Sequence, residues 1–114
     1  MEIKTEEYNV VYDPAIAAVV CNGSFMLSGT QEYAPILELL NTAAEQQPVM
    51  LTLDLRGLTF LNSSGINTLT KFVINIRKNK KPQLVVVGYE KVAWQVRLLK
   101  NLQRLLSDLT ARLE

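Results

Sequence analysis

Histidine is missing from this sequence altogether, and cysteine occurs once, as Cys21. Without an imidazole the chain has no ordinary general base or zinc ligand of that kind, which removes Ser-His-Asp hydrolases and His-bound zinc. A lone cysteine forms no internal disulfide. Cys21 ends the apolar run Ile16–Cys21 and reads as a small buried hydrophobe. An excess of charge is missing too, with Lys+Arg 12 against Asp+Glu 11 and a net charge of +1. That balance offers no electrostatic footprint for nucleic acid, so none is expected as a partner. No apolar run nears the ~20 residues of a membrane span, and Met1–Glu7 is too acidic and polar for a secretory signal. The expectation is a cytoplasmic protein with no direct membrane insertion. Gly57 and Gly65 do not make a phosphate loop, and no acidic pair on an earlier strand joins Asp54 around a cation. No catalytic residue, metal or cofactor is expected.

What is present fits one folded domain over residues 1–114. The chain has 114 residues, 48% hydrophobic and 20% charged, without repeats or a Gly/Pro-rich linker. Residues 8–13 and 16–21 are β-rich and flank Asp13-Pro14, which predicts an N-terminal hairpin whose second strand ends at Asn22-Gly23-Ser24. Tyr33, Ile36, Leu37, Leu40, Ala43 and Ala44 recur at helical spacing between about Thr30 and Gln46. Ser28 and Gln31 suggest a capping box, while Pro35 argues for a start near Ala34 or a kink there. Val49–Leu55 and Leu84–Val87 read as strands buried on both faces, joined by a helix from about Ser63 to Asn79. Strand, helix, strand implies a parallel pair with a right-handed crossover. The predicted class is α/β, a mixed four- to five-stranded sheet with packed helices.

Residues 91–113 are helical by composition, but the stripe of Val92, Val96 and Leu99 is offset from that of Leu98, Leu102, Leu105, Leu109 and Leu113. A break near Asn101 follows, with a short edge strand around Arg104–Leu106 and a last helix capped by Ser107. Trp94 lies off the first stripe, as a packed aromatic or a partly exposed interface residue. Lys78-Asn79-Lys80-Lys81 complements the dipole at a helix end.

The informative stretch runs from Asp54 to Ile66, out of a buried strand and into a helix. Ligands and partners of open α/β sheets meet the carboxyl ends of strands. Asn62 or Ser63 suits the N-cap, and Ser64 then falls in the first turn, where exposed N–H groups would stabilise a phosphoryl group. Ile66, Leu69, Val73 and Ile76 form the stripe assigned to the sheet. Ser64, Asn67, Lys71, Ile74 and Lys78 gather outward at ~100° per residue. Ile74 is either an unremarkable exposed hydrophobe or an anchor for a partner. Gly65 in a first turn suggests close approach of something to that backbone. Taken alone, Asn62-Ser63-Ser64-Gly65 is equally a plain helix cap.

Asp54-Leu55-Arg56-Gly57-Leu58-Thr59-Phe60-Leu61-Asn62-Ser63-Ser64-Gly65 resembles the signature of the STAS family, the sulfate transporter and anti-sigma factor antagonist domains. The resemblance covers essentially the whole chain through its order of elements, and Gly23 matches a glycine that many members keep. It implies a single STAS domain acting as an anti-anti-sigma factor. Such a protein binds an anti-sigma factor that is also a serine kinase. Phosphorylation at Ser64, with Ser63 second, ends binding, and a PP2C-type phosphatase reverses it. A charge of about −2 in a docking surface disfavours docking. The partner-binding residues implied are Asn62, Ser63, Ser64, Gly65, Asn67, Lys71 and Ile74. The alternative is a constitutive scaffold or assembly subunit of another signalling or transport complex, its serines acting only as caps. Asn62 stands where the family has aspartate, which keeps the cap and loses a charge. Ser24–Ser28 stands where members often show an acidic residue before the first helix, and that apolar loop would serve another partner, a homodimer contact, or the interior.

Overall fold

The computed structural model describes residues 1–114. Six strands and three helices follow one another as β1 (Glu2–Lys4), β2 (Tyr8–Asp13), β3 (Ala18–Phe25), α1 (Gly29–Gln46), β4 (Met50–Leu61), α2 (Ser63–Asn79), β5 (Gln83–Gly88), α3 (Ala93–Leu105) and β6 (Thr110–Leu113). They build one sheet in chain order, β1-β2-β3-β4-β5-β6. The first two pairings are antiparallel and the last three parallel. The α/β class, the hairpin and the mixed sheet match expectation, and β1 and β6 raise the strand number to six. No helix is long and apolar enough to cross a membrane.

Strand order equal to chain order means that every βα crossover steps the same way, and right-handed crossovers then put all three helices on one face. Val10 and Tyr12, Val19 and Cys21, Leu51, Leu53 and Leu55, and Leu84 and Val86 face them and are buried. Val11, Val20, Thr52, Asp54 and Val85 occupy the other face and are only half-buried. The expectation of strands covered on both sides therefore fails for β4. The alternation Leu51-Thr52-Leu53-Asp54-Leu55 already carried the one-sided pattern. Cys21 is buried as expected, and burial pushes its thiol up to about 12, so it stays protonated and unreactive.

Three local expectations are corrected. β3 does not stop at Asn22–Ser24 but continues to Phe25, with Gly23 at φ 95, where a Cβ would lie 2.2 Å from the Glu7 carbonyl. Phe25 turns inward onto Tyr8 and Tyr33, whereas Met26 is exposed. α1 starts at Gly29 rather than Ala34 and keeps Pro35 within it on the exposed side. Ser28 makes no side-chain cap; its N–H donates instead to the Glu32 carboxylate at 2.7 Å, so Gln31 plays no capping role. The C-terminal segment has no break at Asn101. α3 runs unbroken to Leu105 and buries Gln95, Leu98, Leu99 and Leu102. Ser107 caps no helix, because the chain turns into strand β6 beside β5. Leu98, Leu102 and Leu105 of the second stripe lie in α3, whose buried side is wide enough to take Leu98 and Leu99 together, while Leu109 and Leu113 belong to β6 and its approach.

β4 is long enough to outrun its neighbour. Its pairing with β5 ends at Asp54, while that with β3 continues to Leu61 through two shifts of register. Between Val20 and Asn22, and again between Gly23 and Ser24, β4 carries one residue more than β3. Each bulge rotates the following side chains. Leu55, Leu58 and Leu61 are consequently buried at intervals of three, and Phe60 points to solvent. Gln95, 0% exposed, replaces the missing neighbour. Its Nε2 donates to the carbonyls of Leu55 and Leu58, both at 3.1 Å, and its Oε1 accepts from the Tyr89 N–H at 2.7 Å.

Candidate functional site

Where β4 ends, Asn62 takes extended geometry and caps α2, its Oδ1 accepting from the Gly65 N–H at 2.9 Å. The same oxygen accepts from the Tyr33 hydroxyl at 2.7 Å. Asn62 Nδ2 donates to the Leu27 carbonyl at 2.8 Å, and the Leu27 N–H donates to the Tyr33 oxygen at 3.3 Å. Three elements are thus tied together at one point: the β3–α1 loop, α1 and the start of α2. Burial raises the Tyr33 phenol above its ordinary value, which keeps it a donor. The amide also explains the departure from aspartate. A carboxylate would still cap α2 but could donate nothing to Leu27.

Gly65 is buried, and what approaches its backbone is the protein itself. A Cβ there would lie 2.4 Å from Leu61 Cδ1 and 2.9 Å from the Tyr33 hydroxyl. Ser63 is exposed, Asn62 and Ser64 are half-buried, Asn67 and Lys71 are exposed, and Ile74 is half-buried. The Ser64 carbonyl accepts from the Thr68 hydroxyl at 2.9 Å. At ~100° per residue Ser63 lies roughly 60° from Ile66 around α2, whereas Ser64 lies roughly 160° from it, on the flank toward α1. The two serines therefore address different neighbourhoods. Asp54 and Arg56 order the preceding stretch: Arg56 Nε and Nη2 donate to the carboxylate at 3.0 and 2.8 Å, and the Arg56 N–H adds a third bond at 3.0 Å. Burial alone would raise the Asp54 pKa, but these bonds to Arg56 outweigh it and hold the carboxyl below its ordinary value.

Ile66 corrects the assigned stripe. It is 42% exposed, while Gly65, Thr68, Leu69, Phe72, Val73 and Ile76 form the buried side of α2. Counting Thr68 and Phe72 moves the centre of that side roughly a quarter turn from Ile66. With Phe60, 46% exposed, Ile66 opens a groove of about 340 Å³ between α2 and α3. Leu61, Trp94, Leu98, Arg97 and Asn101 complete its lining. This groove was missed from the sequence. Its only signal there was Trp94 standing off the apolar stripe, since the bulges that expose Phe60 leave no periodic trace.

Geometry defines a class first: a small mixed α/β domain, helices on one face, that presents a serine pair where its longest strand enters a helix. Neither a family model nor a curated protein matches the sequence. Solved structures do match. SiaC of Pseudomonas aeruginosa is similar with a TM-score of 0.71 and 14% identity, over 98% of this chain and 93% of that one. A chain in the crystal structure of the diguanylate cyclase SiaD in complex with its activator SiaC, from the same organism, gives 0.73 and 13%, over 100% and 99%. Apo-SiaC from Pseudomonas aeruginosa gives 0.69 and 11%, covering 98% of each chain. Likeness at these identities is likeness of fold.

Proposed function

We propose that this protein is a non-catalytic regulator that docks on a signalling enzyme by the surface around the start of α2. One observation carries the reading: Ser63 and Ser64 follow an anchored cap, Ser63 on the side of the exposed apolar residues Phe60 and Ile66 and Ser64 on the flank toward α1. Polar, modifiable groups next to accessible apolar area suit a reversible interface. The similar fold of SiaC, an activator in complex with a diguanylate cyclase, supports a signalling enzyme as partner over an anti-sigma factor. It favours the assembly-subunit alternative for the same domain. Asn67, Lys71 and Ile74 extend the contact along α2.

The resemblance of Asp54–Gly65 to the STAS signature supports a finer step: a serine kinase phosphorylates Ser64 and a PP2C-type phosphatase restores it. A phosphate carrying about −2 charge beside the partner would oppose docking by repulsion and desolvation. On this second reading the kinase is itself the anti-sigma partner. Affinity capture from native cells with wild type, Ser64→Asp, Ser63→Asp and Ser64→Ala, each checked for folding by circular dichroism, tests both. Wild type and Ser64→Ala should retain a nucleotide cyclase or kinase that Ser64→Asp loses. Equal capture by all four removes the switch. Capture of no signalling enzyme by wild type removes the docking role.

A further inference from the structure

The net charge of +1 conceals a separation within the helical layer. α1 carries Glu32, Glu38 and Glu45 and no cation. α2 carries Lys71, Arg77 and Lys78, α3 carries Arg97, Lys100 and Arg104, and neither holds a carboxylate. All six cations are exposed, and none takes part in an ion pair. Only Arg77 is tied down by a side-chain hydrogen bond, to the Leu105 carbonyl at 3.0 Å. Between these two basic helices lies the apolar groove of Phe60, Ile66, Trp94 and Leu98, with Arg97 and Asn101 on its rim.

From this juxtaposition we infer that the α2/α3 face docks an acidic protein segment that inserts one bulky apolar side chain into the groove. The inference rests on the docking role above and assigns the partner's chemistry. Arg97 on the rim, with the other unpaired cations spread along the same two helices, favours an acidic ligand electrostatically, and the pocket supplies the anchor. A bilayer cannot send a side chain into a recess, and duplex nucleic acid offers no apolar knob for it. A second copy of this chain could present the acidic α1, but the exposed residues of α1 include no large hydrophobe to fill the groove. A phosphate on Ser63, which lies on the Ile66 side of α2, would act with the same sign, since it adds negative charge where a negative partner arrives.

Trp94 is the only tryptophan and lines the groove, so its fluorescence reports occupancy. The probes are a 15-residue, Glu-rich, Trp-free peptide with one central Phe, its Phe→Ala counterpart, anionic phosphatidylglycerol vesicles and a short DNA duplex. The Phe peptide should shift Trp94 emission saturably and lose affinity as salt rises. Binding should fall about tenfold or more with the Ala peptide, and again with the double variant Arg97→Glu/Lys100→Glu. Lys4→Glu, on the distant β1, should leave it unchanged. Equal binding of the Phe and Ala peptides, or no binding by either, overturns the inference. So does a stronger response to vesicles or DNA. Sedimentation showing self-association that the double variant abolishes would assign the face to a second copy instead. Failure here with the Ser64→Asp capture effect intact sinks only the assigned chemistry. Peptide binding with unchanged Ser64→Asp capture sinks only the switch.

Discussion

The two halves of β4 are built on different terms. Met50–Asp54 pairs in regular parallel register with β5 throughout and with β3 from Thr52 on. Leu55–Leu61 has β3 alone, reached through two bulges, and hands its free carbonyls to Gln95. The first half is held by repetition of one motif. The second is held by particular side chains, and it carries the candidate site. The candidate surface thus lies where regular pairing has stopped, because there side chains such as Phe60 escape the sheet's alternation.

That contrast can be broken from either half. Leu53→Ala, in the regular half, should cost about 2–5 kcal/mol in urea unfolding, and amide exchange should quicken across the whole sheet. Gln95→Leu keeps the volume but strands two carbonyls and one N–H, and about 2–4 kcal/mol should be lost. Its mark is uneven: exchange should rise over residues 55–61 well before residues 50–54 respond. A uniform rise would show that the two halves do not differ in their support.

Asn62→Asp sharpens the contrast at the far end of β4. The cap to Gly65 and the bond from Tyr33 survive, while the donation to Leu27 is lost. Stability should change by less than about 1 kcal/mol, since a carboxylate at a helix N-terminus is favourable. The Leu27 and Ser28 amides should nevertheless exchange faster. Smallest is the effect at the junction of the halves. Asp54 titrates below its ordinary value in the folded state, so its contribution is present above the unfolded value and vanishes as pH falls through the folded one. Wild type should therefore exceed Asp54→Asn by under about 1 kcal/mol at pH 6, and the gap should close as pH falls below the ordinary carboxylate range.

Much of this was legible beforehand at particular residues. The β-rich runs flanking Asp13-Pro14 gave the hairpin, and the spacing of Leu69, Val73 and Ile76 placed the inward side of α2. A cap at Asn62 or Ser63 follows from their position before a helical stretch, the structure choosing Asn62, and Cys21 as core follows from its apolar run. Ile66 was assigned inward because stripes are counted on an ideal cylinder, and the side against which α2 packs depends on where α1 and α3 lie. The extension of β3 past Gly23 stayed hidden, because that glycine meets the Glu7 carbonyl only once β2 is in place. Residues 91–113 misled for a related reason: a helix and a strand each carry leucines, and their joined pattern mimics one broken helix.

Local chemistry within the sequence determined which segments pair, which helices form and where a cap must stand, because propensities and apolar spacing act over a few residues. The tertiary structure alone decided three further matters: that one sheet face stays uncovered, that Gln95 completes a strand 40 residues away at Leu55, and that Phe60, Ile66 and Trp94 share a groove with the unpaired Arg97 on its rim. These depend on the direction of successive crossovers and on bulges between distant strands. Such long-range relations leave no local signature to read.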